Sequence, residues 1–151
     1  MARDFDGTDG VLHTGSVIST ATDNITMSAW VRHKSAGNSR GAFHNGSRDA
    51  GSGTGYGIWV AFVSPNYLVQ FDLAFVANAR GTTALTDSVW YHIVGLRDAG
   101  TSKVYLNGVT EGTTTASAPN APANKTSIGS PIHTDDTLFR PFKGDVAECG
   151  F

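Results

Sequence analysis

The feature that most constrains this chain is the period of its apolar residues, which is two along most of its length. In Thr26 to His33, Met27, Ala29 and Val31 fall on one face and Ser28, Trp30 and Arg32 on the other. Alternation of that kind is the mark of a strand with one face in a core. Gly57 to Val63 is a nearly continuous apolar run. Leu68 to Ala77 sets Leu68, Gln70, Asp72 and Ala74 opposite Val69, Phe71, Leu73 and Phe75. Ser64-Pro65-Asn66 between these two runs is a turn signal, so they are expected to form a hairpin. Trp90 to Arg97 is the next expected strand, with Trp90 in the core. Lys103 to Leu106 and Val109 to Thr115 flank Asn107-Gly108, the strongest short hairpin signal, because both residues tolerate the positive φ of a type I′ turn. Short strands are expected over 126–129, 137–142 and 145–151. The stretch from Ser35 to Gly57 is read as a long loop, or as a strand with loops on either side. No helix longer than a turn and no internal repeat is expected.

Composition supports an all-β chain and excludes several functions. Only 16% of the 151 residues are charged, and Glu occurs just twice, as Glu111 and Glu148. Residues suited to strands and turns take the place of helix formers. The length suits one domain, 1–151. A net charge of −2 with no basic run gives no footprint for nucleic acid. No segment is long and apolar enough for a membrane span. The N-terminus lacks the pattern of a signal peptide. The single Cys149 rules out an internal disulfide and a cysteine-based zinc site.

Several motifs then occur in a telling order: Phe5-Asp6-Gly7, Ser28-Ala29-Trp30-Val31, Trp90-Tyr91-His92-Ile93-Val94, Val104-Tyr105-Leu106-Asn107-Gly108, Ser127-Ile128-Gly129 and Phe142-Lys143-Gly144-Asp145-Val146-Ala147-Glu148. The series resembles the laminin-G-like, concanavalin A-like jelly-roll family over almost the whole chain. The resemblance implies a two-sheet antiparallel jelly-roll sandwich with the first and last strands side by side. Relatives usually continue past the closing strand, whereas this chain stops at Phe151. The fold hosts lectins, glucanases, adhesion modules and viral coat domains, so it does not choose among them.

Glucanases on this fold use a Glu-x-Asp-x-x-Glu strand whose two glutamates flank the sugar bond. Here Asp145 and Glu148 match the last two acids, but Lys143 stands where the first glutamate belongs. No enzyme activity is expected. Gly51-Ser-Gly-Thr-Gly-Tyr-Gly57 lacks the lysine and the following helix of a phosphate loop and reads as a tight or mobile turn. Trp30, Trp59, Tyr56 and Tyr67 are the candidate rings for stacking on sugars. No cofactor is expected. Calcium is the exception to weigh, since relatives bind it through loop Asp and Asn groups. Asp98, Asn107, Asp135 and Asp136 are the candidate ligands.

The expected role is a non-enzymatic interaction module, first a phage virion-surface protein such as a capsid decoration or cement protein. It would assemble in the host cytoplasm with other virion or capsid subunits, as a homo-oligomer. The alternative is a carbohydrate-binding, lectin-like module, free or displayed on a virion.

Overall fold

A computed structural model describes residues 2–8, 11–49 and 52–151. Asp9 and Gly10 after the opening motif, and Gly51 of the glycine-rich loop, lie outside the described residues. Twelve strands follow in order: β1 (Arg3–Asp6), β2 (Leu12–His13), β3 (Ile25–His33), β4 (Arg40–Asn45), β5 (Tyr56–Val63), β6 (Asn66–Leu73), β7 (Ala77–Arg80), β8 (Tyr91–Asp98), β9 (Thr101–Leu106), β10 (Val109–Thr115), β11 (Thr126–Ile128) and β12 (Lys143–Gly150). They form two antiparallel six-stranded sheets, β1-β12-β3-β8-β9-β10 and β2-β11-β4-β5-β6-β7. This is the expected jelly-roll sandwich.

The alternation in β3 is obeyed residue by residue: Ile25, Met27, Ala29, Val31 and His33 are buried, and Trp30 is 38% exposed. Facing it across the sandwich, β5 and β6 contribute Tyr56, Ile58, Val60, Val69 and Phe71 to the same core. Sheets packed face to face join their inner residues into one apolar layer, and burial of that layer is the main stabilising term. The expected β5–β6 hairpin is present, with Val63 opposite Asn66. Phe5 of β1 sits opposite Gly144 of β12, so the first and last strands are neighbours as expected.

Several expectations are corrected. The run read through Ala77 ends at Leu73, because Phe75 turns the chain with a φ of 64° before β7 begins. Residues 137–142 form no strand beyond a bridge between Ile132 and Leu138. Of the two readings of the Ser35–Gly57 stretch, the strand with loops on either side holds, as β4. Trp90 is not a core residue. It precedes β8, whose inward positions are Ile93, Gly95 and Arg97 while His92, Val94 and Leu96 stay half-buried. An ideal Cβ at Gly95 would lie 2.1 Å from Cδ2 of Phe71 on the opposite sheet, so only glycine lets the two sheets approach there.

The Asn107-Gly108 turn is as expected, with φ angles of 50° and 83°. Nothing lies within 4 Å of a Cβ built at Gly108, so backbone strain alone acts on a substitution. Gly108→Val is expected to cost about 1 kcal/mol or more of stability. An unchanged urea midpoint would refute that. Cys149 is half-buried against the core, and burial pushes its thiol up to about 12. It should label slowly with a thiol reagent in native protein at pH 7.5 and rapidly in 8 M urea (on the order of a full denaturing dose). Equal rates in the two conditions would show a frayed closing strand.

Candidate functional site

A cleft of about 240 Å³ opens on the outer face of the sheet that carries β4 to β7. Strand register builds its floor. Trp59 of β5 stands opposite Gln70 of β6, which stands opposite Arg80 of β7. One row along, Asp72 stands opposite Asn78. Their sequence neighbours Ile58, Phe71 and Ala79 point the other way, into the core, so the floor is the polar half of the same alternation. The rim comes from loops: Arg48 from the β4–β5 connection, Phe75 from the β6–β7 turn, and Phe139 and Arg140 from the segment between β11 and β12. Phe75 and Arg140 both hold positive φ, 64° and 54°. Bulky residues seldom adopt that conformation, and such strain collects at functional sites.

The floor is a fixed network. Arg80 Nε donates to Gln70 Oε1 at 2.8 Å, and Gln70 Nε2 lies 3.0 Å from the side-chain oxygen of Asn78. The carboxylate of Asp72 accepts from Arg48 Nη1. Asp72 is 1% exposed, and burial raises its carboxyl to about 6 against the opposing pull of Arg48 and Arg80. Burial also lowers Arg48, assisted by repulsion from Arg140. The guanidinium carbon of Arg48 lies 4.0 Å from the centre of the Phe75 ring and 5.3 Å from that of Trp59. Phe139 meets Trp59 edge-on at 6.1 Å. Planar polar groups held by one another and flanked by aromatic rings suit a small polar ligand with an apolar face. Trp59 Nε1 and Arg48 Nε are buried without a hydrogen-bond partner.

The four ring candidates do not form one platform. Trp59 lines this cleft but is only 3% exposed, covered by Arg48 and Phe139, so the rings open to a ligand there are those of Phe75 and Phe139. Trp30 is on the outer face of the opposite sheet, beside His92 at 5.1 Å. There it lines a second, shallower hollow with Trp90, Ala147 and Glu148. Tyr56 and Tyr67 are core residues, 0% and 8% exposed, and cannot offer a ring face to a ligand. The Tyr56 hydroxyl lies 3.2 Å from the Asn45 amide, and the Tyr67 hydroxyl accepts from the backbone N–H groups of Ala36 and Gly37.

The calcium candidates do not converge. Asp98 and Asn107 flank opposite ends of β9, about 20 Å apart for a strand of its length. Asn107 Oδ1 accepts from the His92 N–H, and Asp135 Oδ1 from Thr137. Asp136 pairs with Lys125 at 2.6 Å. Among the described residues no group of three or more His, Cys, Asp or Glu side chains is placed to hold a metal. Asp145 is 6% exposed and bound to Arg32 Nε at 2.9 Å. Asp72 in the cleft and Glu148 in the second hollow are each the sole carboxylate among the described lining residues. The paired acids of a glycosidase are therefore found in neither hollow.

Sequence reasoning missed Arg48, Gln70, Asp72, Phe75, Asn78, Arg80, Phe139 and Arg140. A signal existed in part. Gln70 and Asp72, like Asn78 and Arg80, are polar residues spaced by two.

These observations define a jelly-roll sandwich with a polar, aromatic-walled cleft on one sheet. The chain belongs to the concanavalin A-like lectin/glucanases superfamily, whose laminin G-type model matches residues 5–150. No curated protein sequence matches it. Similar solved structures include the native heptameric SAP-like pentraxin from Limulus polyphemus, with 14% identity, a TM-score of 0.68, and 98% of this chain and 73% of that one covered. Domain 4 of AbnA, an extracellular arabinanase from Geobacillus stearothermophilus solved with arabinotriose, is similar at 19% identity and a TM-score of 0.66, over 99% of this chain and 73% of that one. The CBM40 of the Ruminococcus gnavus IT-sialidase gives 12% identity and a TM-score of 0.66, over 97% of this chain and 90% of that one. At these identities the likeness is one of fold.

Proposed function

We propose that the domain is a non-catalytic carbohydrate-binding module and that the cleft across β5, β6 and β7 is its ligand site. The observation that carries the reading is the exposed pair Asn78 and Arg80, fixed from behind by Gln70 and Asp72 and flanked by the rings of Phe75 and Phe139: held polar groups next to aromatic walls. Sugars present hydroxyls on their rims and C–H groups on their faces, and this site offers partners for both. Structural neighbours solved with arabinotriose and with sialyllactose support the same class of ligand. The virion-surface role expected from the sequence draws no support from these comparisons, which favour the alternative.

The test is a glycan array followed by titration of the strongest hit, read by amide chemical shifts. Shifts should cluster at Trp59, Gln70, Phe75 and Arg80. Phe75→Ala should weaken binding about three- to tenfold, the worth of one aromatic contact. Shifts confined to Trp30, Trp90 and His92 would move the site to the opposite sheet. Absence of binding to any glycan at millimolar concentration would defeat the reading.

A further inference from the structure

The cleft gathers three guanidinium groups, those of Arg48, Arg80 and Arg140, and a single carboxylate, Asp72, in a chain whose net charge is −2. Among the described residues only one of the three makes an ion pair, and the one carboxylate is shared electrostatically with Arg80. Arg48 is held by Asp72. Arg80 uses Nε on the neutral Gln70 amide, and neither of its terminal nitrogens has a hydrogen-bond partner among the described residues. Arg140 has neither a hydrogen bond nor an ion pair among them; its one partner is the Phe139 ring, at 5.3 Å. Arg48 and Arg140 are close enough to repel. Gathering like charges in a hollow costs folding energy. Arg140 is moreover held at positive φ on the rim, a second local cost borne at the same place. Neither cost is offset by a hydrogen bond or ion pair to the terminal guanidinium nitrogens of Arg80 or Arg140 among the described residues.

We propose that the ligand of this cleft is a saccharide bearing a carboxylate, bound through the free guanidinium edges of Arg80 and Arg140. The proposal rests on the carbohydrate-binding reading and narrows it. A guanidinium presents parallel N–H donors matched to the two oxygens of a carboxylate, a fit that neither lysine nor an amide offers. The buried Arg48–Asp72 pair stands behind these edges as part of the floor. Its own charge is already matched, so the net positive charge of the cleft resides on the two arginines with free donors. The Phe139 ring beneath Arg140 and the Gln70 amide against Arg80 limit the freedom of both side chains, which lowers the ordering cost on binding.

The carboxylate could belong to a uronic acid within a chain or to a terminal sialic acid, and the experiment separates them. Calorimetry would compare trigalacturonic acid and 3′-sialyllactose with neutral cellotriose, arabinotriose and lactose, in about 50 and 200 mM salt. At least one acidic sugar should bind ten or more times as tightly as every neutral one, and weaken as salt rises. Whichever acid binds names the source. Arg140→Gln should weaken that binding at least tenfold, and Arg140→Lys, which keeps the charge and loses the fork, should restore only part of it. Arg80→Gln supplies the same readout from a second element, and circular dichroism checks that each variant is folded. Equal affinity for acidic and neutral sugars would overturn the proposal and leave the carbohydrate-binding reading standing. So would acidic-sugar binding that is insensitive to Arg140→Gln and Arg80→Gln. Failure of all five sugars to bind, in a protein that binds nothing on a glycan array, would overturn both.

Discussion

Arg97→Leu is expected to cost about 3–5 kcal/mol, a large part of the stability of a domain this size. Arg97 sits on the inward face of β8 and is 2% exposed. Its guanidinium reaches the carbonyls of Thr22 at 3.1 Å, Gly100 at 3.4 Å and Ala116 at 2.9 Å, and the Ser102 hydroxyl at 3.2 Å. The Asp23 carboxylate lies 3.5 Å from Nε. One side chain thus satisfies acceptors from the segment before β3, the β8–β9 turn and the segment after β10. Leucine fills much of the volume but leaves the Thr22 and Ala116 carbonyls without the guanidinium donors, while Gly100 keeps the Ala116 N–H, and each buried acceptor left unpaired costs about 1–3 kcal/mol. The measurement is the urea midpoint at constant slope. Arg97→Lys should recover part of the loss through a single ammonium. A change below about 1 kcal/mol for Arg97→Leu would mean that water replaces the guanidinium freely.

The second large effect is a pair of opposed titrations. His44 is fully buried, and burial together with the nearby Arg48 brings its imidazole down to about 3. The unfolded chain protonates this residue near 6.5 and the folded chain does not. His44 therefore removes stability as pH falls from 6.5 toward 3, at about 1.4 kcal/mol per pH unit. Asp72 acts in the other direction. Its carboxyl titrates near 6 when folded, above the 3.8 of the free side chain, so the folded state takes up the proton first. Between pH 6 and 3.8 acidification adds stability through Asp72, also at about 1.4 kcal/mol per unit. The two slopes nearly cancel in the wild type. Asp72→Asn should expose the His44 slope, making the protein lose about 2–3 kcal/mol between pH 6 and 4 relative to wild type. His44→Gln should expose the Asp72 slope and gain stability over the same range. Parallel stability curves for wild type and Asp72→Asn would show that Asp72 is ionised at pH 5 and that its burial costs little.

The frame of this fold was legible because each strand carries its own evidence. The alternation of β3, the turn residues between β5 and β6, and Asn107-Gly108 are local signals, and the structure follows them. Trp90 misled for a physical reason. The inward positions of β8 hold Gly95, required by the approach of Phe71, and Arg97, which caps three segments. With two of its inward places occupied by residues that do not look apolar, the strand reads with its faces exchanged. The cleft was hidden for a different reason. Gln70 and Asp72 look like the solvent side of an ordinary strand until register sets Arg80 and Asn78 beside them. Arg48, Phe75 and Arg140 reach the same place from three connections, and no local pattern records where a loop will land. Trp59 was picked out for its ring, but nothing in its own run of residues distinguishes a cleft wall from a core side chain.

The order β1-β12-β3 has a consequence for how the chain is made. The last strand does not add to the rim of its sheet; it inserts between the two strands that open it, pairing with Arg3–Asp6 on one side and with β3 on the other. During synthesis β1 and β3 leave the ribosome early and must wait for residues 143–150, with the hydrogen-bonding edges meant for β12 exposed. The sheet is sealed only when those residues emerge, so its closure depends on contacts distant in sequence, which makes it slow. A stalled or truncated chain would carry two open edges of matching register. Its characteristic failure would be to accept the β12 of a neighbouring full-length chain in place of the strand it lacks.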